Sequence, residues 1–169
     1  MKTNLYFTFL RYLILLAFAF RDLFIFYWIF TPLTIFPIYF LLSLFFKVSL
    51  VSSTIFINHI SIDIISACIG ASAYYLLLIL NLTTSMNTKK RIYSLLFSFL
   101  FLLACNILRI FFFSLLFIYN PILFNLSHLL FWYIFSAVLV FLTWFLTIKL
   151  FKIKEIPIYS DLKGIIRKI

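Results

Sequence analysis

The stretch from residue 92 to residue 118 is apolar almost throughout and long enough to cross a lipid bilayer as a helix. A bilayer core requires about 20 consecutive, mostly apolar helical residues. The rest of the chain has the same character, since 66% of its 169 residues are apolar, 11% are charged and the mean hydropathy is +1.22. A soluble domain has roughly half of its residues apolar and about a quarter charged. The sequence therefore predicts an all-α integral membrane protein, a single bundle of about five transmembrane helices.

The basic residues predict how these helices are oriented. A formal net charge of +10 suggests nucleic-acid binding in a soluble protein, but here most Lys and Arg flank apolar runs, so no nucleic acid is expected as a partner. Under the positive-inside rule the clusters at 89–91 and 149–154 are cytoplasmic. We expect a multi-pass protein of the plasma membrane with a cytoplasmic tail over 149–169. The predicted spans are 4–31, 33–47, 65–82, 92–118 and 126–148.

Two features precede the third predicted span: a boundary between the first two spans and a segment with the pattern of β-strands. The boundary between the first two spans is placed at Pro32, because proline breaks or kinks a helix. An interfacial helix followed by one span that starts near Leu23 is an alternative with nearly equal support. Residues 48–64 are rich in Ser, Thr and β-branched residues, and 58–64 alternate between polar and apolar side chains. Alternation is typical of a strand, and an open strand edge cannot face lipid, so we expect a short extracytoplasmic β-ribbon.

Three polar side chains from separate spans are predicted at one depth. Cys68 and His128 each lie 21 residues before the start of the basic cluster that follows them, and Arg109 lies 18 residues after the end of the cluster that precedes it. At 1.5 Å per residue these separations are about 31 Å for Cys68 and His128 and about 27 Å for Arg109. The hydrocarbon core is roughly 30 Å thick. All three side chains are therefore expected near the extracytoplasmic boundary.

The residue types suit acyl transfer through a thioester. A thiol attacks as the thiolate, which a helix N-terminus or a nearby cation stabilises, so Cys68 at the start of the third span is a candidate nucleophile. His128 would take and return the proton, and Arg109 would stabilise the thiolate or an oxyanion. Asn106, three residues before Arg109, is a candidate supporting residue that orients the guanidinium or donates to the oxyanion. Structural packing of Asn106 is an equal alternative.

Other polar residues are assigned different roles. His59 and Asp63 share the polar face of the predicted strand and would line the substrate entrance, the alternative being an exposed outer loop. Cys105 is expected about 21 Å above the cytoplasmic edge, too deep for a reactive thiol, and is interpreted as packing. Two His and two Cys scattered over four segments have no metal-ligand spacing, so neither a metal nor a cofactor is expected.

The segments that carry these residues resemble the exosortase/archaeosortase family. Residues 67–70 are Ala-Cys-Ile-Gly and 106–109 are Asn-Ile-Leu-Arg, similar to the family's Ala-Cys-x-Gly and Asn-x-x-Arg segments, and a later His follows at 128. Ile69 stands where the family usually has Ser or Thr, and many members are longer. The resemblance, over about residues 60–150, implies a membrane-embedded cysteine protease and transpeptidase with Cys68, Arg109 and His128 as its catalytic residues.

The resemblance also implies the partners. Substrates would be exported proteins that end in a sorting signal, which consists of a short motif, a transmembrane helix and a basic tail. The new C-terminus would pass to a membrane lipid or another surface anchor. The competing class of function is non-enzymatic: a small membrane subunit or assembly factor that uses Arg109 for lipid or partner contact. Transport is disfavoured, because no span shows paired buried charges or a helix broken at glycine.

Overall fold

The computed structural model describes residues 5–19, 22–58, 60–124, 134–155 and 157. These residues are mostly helical, as predicted, and include one small antiparallel sheet. The helices and strands are α1 (Leu5–Ala19), α2 (Phe24–Ser43), β1 (Val48–Val51), β2 (Thr54–Ile57), β3 (Ile60–Asp63), α3 (Ser66–Ile69), α4 (Ala71–Leu82), α5 (Thr88–Tyr119) and α6 (Ser136–Leu150).

Two of the described helices are long and apolar enough to cross a membrane. They are α2, with a mean hydropathy of 1.8, and α5, with a mean hydropathy of 2.3. At 1.5 Å per residue the 32 residues of α5 extend over about 48 Å, more than a hydrocarbon core of roughly 30 Å. The remaining apolar helical segments are shorter, at 10–17 residues. The two long helices support a membrane location for the chain.

The N-terminal helix boundary differs from the preferred prediction. The division into spans 4–31 and 33–47 is wrong, because α2 continues without a break through Pro32 and Pro37. The chain turns instead between α1 and α2, where Asp22 and Leu23 have φ angles of 52° and 61°. The alternative with a span starting near Leu23 is closer to the structure. Proline is tolerated inside helices in an apolar medium when neighbouring groups satisfy the freed backbone.

The ribbon expected at 48–64 is a three-stranded antiparallel sheet in the order β1-β2-β3. Val51 is opposite Thr54 in the first hairpin, and Ile57 is opposite Ile60 in the second. Side chains alternate along β3, with the two isoleucines half-buried and Ser61 and Asp63 exposed. The alternation of polar and apolar residues thus predicted the strand and its polar face.

The predicted continuous span over 65–82 is divided in the structure. The short helix α3 ends at Gly70, which has φ +72°, and α4 begins at the next residue. The expectation that no span is broken at glycine is therefore wrong. Gly adopts this left-handed conformation at little cost because it has no Cβ. Cys68 consequently lies in a separate turn before α4 instead of in the first turn of a long helix.

The helix α5 lies at the centre of the fold and packs against α2, α4 and α6. An aromatic cluster fixes α2 against α4 and α5, with the Phe30 and Tyr74 rings stacked at 3.7 Å between centroids and Phe99 edge-on to both. At the N-terminal end of α5 the Lys90 Nζ donates to the Lys152 carbonyl, so the two basic segments meet there. At the opposite end of α5, Tyr119 contacts Phe46 just before the sheet.

Candidate active site

A cavity of about 220 Å³ lies between the sheet and the C-terminal half of α5. Cys68 of α3 and Arg109 of α5 both line it, together with the end of β3. The two residues are 41 positions apart in the chain. The fold therefore brings the candidate nucleophile and a fixed positive charge to one cavity.

The backbone around Cys68 is held from both sides. Its N–H donates to the Ile65 carbonyl at 2.8 Å, which closes the turn of α3. Its own carbonyl accepts a hydrogen bond from the Asn106 side-chain amide at 2.9 Å. Asn106 is only 6% exposed, so little water competes for this bond. Asn106 thus connects α5 to the nucleophile segment, and this hydrogen bond involves neither the guanidinium nor an oxyanion.

Arg109 is directed into the bundle and does not extend outward along its surface. Its Nη1 donates to the Ser136 hydroxyl on α6, and Arg109 lines a cavity together with Tyr74 of α4. The residue is half-buried. A snorkelling arginine would extend toward the headgroups. The inward hydrogen bond to α6 instead fixes the guanidinium beside the cavity.

A second cavity of about 130 Å³ is lined by residues of α3, α4, α5 and α6, and Arg109 lines it as well. Tyr74, Asn106 and Ser136 contribute polar groups to its lining. The Tyr74 hydroxyl is buried and, in the described part of the chain, has no hydrogen-bond partner. Arg109 therefore lines two cavities, and Cys68 lines the larger of these two.

Of the remaining candidate residues, the structure describes Asp63 and Cys105. Asp63 lines the larger cavity, and its Oδ1 accepts hydrogen bonds from the Ser53 and Thr54 hydroxyls at 3.0 and 3.2 Å. Cys105 is half-buried against the hydrophobic core and lines neither cavity, in accord with its interpretation as packing. His59 and His128 lie outside the described residues, so the positions of the entrance histidine and of the proposed catalytic histidine stay predictions.

Two residues of the site, Ser136 and Tyr74, were missed by the sequence analysis. Counting residues places both close to the depth of Arg109: Tyr74 is 15 residues from Lys89 and Ser136 is 13 residues from Lys149. These separations correspond to about 22 and 20 Å, roughly one helical turn below Arg109. A long arginine side chain reaches that level. The missing signal was the direction of the side chain, which residue spacing alone does not give.

Within the described residues no group of three or more His, Cys, Asp or Glu side chains is arranged to hold a metal ion. No family model, curated protein or solved structure matches this chain.

Proposed function

We propose that the protein is a multi-pass membrane cysteine transpeptidase that cleaves a C-terminal sorting signal of exported proteins and transfers the new C-terminus to a lipid or other surface anchor. The observation that carries this proposal is the meeting of Cys68 and Arg109 at one cavity, at the end of the bundle opposite the basic segments. The motif resemblance supplies the substrate class.

The surface of the long helices supports the membrane setting. Only 33% of the apolar window of α2 and 28% of that of α5 is buried within the chain, unlike the core helices of a soluble protein. Large side chains project outward from both, among them Trp28 (71% exposed), Phe40 (62%) and Phe112 (62%). Lipid would cover this surface. In the proposed topology the apolar segments form a bundle of about five spans, the sheet is extracytoplasmic and the basic ends are cytoplasmic.

The proposed reaction has two steps. His128 takes the proton of the Cys68 thiol, and the thiolate attacks the scissile carbonyl carbon. A C–S bond forms, and the C–N bond breaks as the leaving amine takes this proton from His128. Arg109 stabilises the thiolate before attack and the negative oxygen during it. An amine or hydroxyl of the acceptor, or water, then attacks the thioester and gives its proton to His128, and the C–S bond breaks to restore the thiolate.

Processing in cells tests the proposal. The protein is co-expressed with exported reporters that end in a motif, a transmembrane helix and a basic tail, and cleavage is followed by gel shift. Cys68→Ala and His128→Ala are expected to abolish cleavage. Arg109→Ala is expected to lower the rate by about 100-fold or more, the usual cost of losing a group that stabilises the oxyanion.

Cys105→Ala is the matched control, because it removes the other thiol of the chain without touching either cavity. It should process normally. Normal processing by Cys68→Ala would show that the nucleophile is misassigned. If wild type and Cys68→Ala are equally inactive on every reporter, the non-enzymatic class replaces the proposal, with Arg109 as a contact for lipid or a partner.

A further inference from the structure

The strand β3 forms one edge of the sheet. It pairs with β2 on one side, and no described strand pairs with its other side. An unpaired strand edge presents a row of backbone donors and acceptors that another extended chain can use. The location of this free edge therefore bears on what binds at the site.

The backbone groups of Ser61 and Asp63 point to the free edge. The N–H of Ile64 donates to the Ser53 carbonyl on the β2 side at 3.1 Å. In an antiparallel pair, residues alternate between those that exchange hydrogen bonds with the neighbouring strand and those that do not. Ile62 therefore bonds to β2, and the intervening residues 61 and 63 direct their N–H and C=O groups away from it.

The free edge lines the cavity that contains the nucleophile. Ser61 and Asp63 are both exposed, and both line the same cavity as Cys68 and Arg109. The wall that α5 contributes is largely apolar and includes Phe113 and Phe117. A strand added at such an edge gains affinity from main-chain hydrogen bonds and specificity from pockets for alternate side chains. The edge and the apolar wall thus offer both parts of an extended-peptide site.

The charge at the edge favours a peptide over an anionic headgroup. Within the described residues, hydroxyls alone donate hydrogen bonds to the Asp63 carboxylate, so its negative charge is not neutralised by a cation there. A phosphate bound along β3 would meet this carboxylate, whereas the positive charge of Arg109 lies on the wall that α5 contributes. The N–H groups of an extended peptide would instead find acceptors along it.

We propose that the cleavage motif of the substrate binds as a fourth strand along the free edge of β3, which carries its scissile carbonyl to Cys68. This inference rests on the proposed function, because it assigns the binding mode of that substrate. The motif then binds in an extended conformation, and the transmembrane helix of the substrate, which follows the motif, lies beyond the sheet.

Disulfide trapping tests this binding mode. A reporter that wild type processes receives single cysteines at successive positions around its cleavage point. It is combined with Ser61→Cys in a Cys68→Ala, Cys105→Ala background, which holds the substrate uncleaved. Because strand side chains alternate between two faces, cross-link yields should alternate with a period of two along the reporter. Ile62→Cys, on the opposite face of β3, should give the complementary set of positions.

Val51→Cys is the matched control, since Val51 is 62% exposed on β1, the other outer strand of the sheet. It should give no more than background cross-linking. Uniform yields, a period of three to four residues, or yields equal to those of Val51→Cys would overturn the strand-addition model and leave the proposed function standing. A wild-type protein that processes no reporter would overturn both.

Discussion

At the residue scale, Asn106 links the helix that carries Arg109 to the backbone of Cys68. Its buried amide satisfies the Cys68 carbonyl, which lies just before the left-handed Gly70. Arg109 follows on the next turn of the same helix face. A displacement of α5 would therefore disturb both the hydrogen bond from Asn106 to the Cys68 carbonyl and the position of the Arg109 charge beside the nucleophile. This makes Asn106 a positioning residue in the proposed reaction.

Asn106→Leu should lower the free energy of unfolding by about 1–3 kcal/mol, because it leaves the partly buried Cys68 carbonyl without its donor. The processing rate should fall by more than the loss of stability explains, since the Cys68 thiol loses its fixed position. Thermal unfolding in detergent, the processing rate and the rate of Cys68 labelling by a thiol reagent separate the two effects. Ser98→Ala removes another buried polar group on α5, one that bonds within its own helix, and should leave processing near wild type. Equal losses in both variants would contradict a positioning role.

Residue spacing predicted the shared depth of Cys68 and Arg109, and the structure places both at one cavity. It did not predict that Arg109 reaches Ser136 or that Asn106 bonds the Cys68 backbone. Depth along a helix follows from counting residues, whereas the partner of a side chain depends on helix rotation and on the neighbouring helix.

At the element scale, Gly70 separates the nucleophile turn from α4. An added Cβ at this position would meet nothing closer than the Ala73 Cβ at 4.0 Å, so space is not what requires glycine. The φ of +72° is the requirement. A glycine within an apolar run is compatible with a continuous helix, and for this reason the sequence did not predict the break. The alternation in 58–64 and the long apolar run of α5 were stronger signals, and both elements formed where expected.

Gly70→Ala should lower the free energy of unfolding by about 1–2 kcal/mol, the cost of a left-handed conformation for an ordinary L-residue. Gly70→Asn should cost less, because Asn visits this conformation more readily. Chemical or thermal unfolding of the two variants measures the difference. If Ala and Asn are equally tolerated, the chain does not depend on the left-handed turn.

At the scale of the whole molecule, the fold has two chemically different ends. The segments with Lys90 and Lys152 meet at one end, and the sheet and the larger cavity are at the other. The proposed topology follows from this separation together with the positive-inside rule. The apolar composition predicted a membrane bundle. The N-terminal spans were misplaced because a helix break was expected at proline, whereas one continuous helix contains two prolines.

Accessibility to a membrane-impermeant thiol reagent tests this topology in intact cells. In a background without Cys68 and Cys105, Val51→Cys should react from outside, and Lys89→Cys should react only after permeabilisation. Both positions are exposed on the protein surface, so burial does not explain a difference. Labelling of both from the same side would contradict the proposed orientation.

The contact made by Arg11 has a consequence for how the chain is synthesised. Its guanidinium is nearly buried and donates to the carbonyl of Leu82, 71 residues further along. At 5–20 residues per second a ribosome needs roughly 4–14 s to cover that distance. During this interval α1 lacks the hydrogen bond that joins it to the end of α4. The helix translated first is thus expected to dock late, after α4 has emerged, and a nascent chain stalled before Leu82 would hold α1 away from its final position.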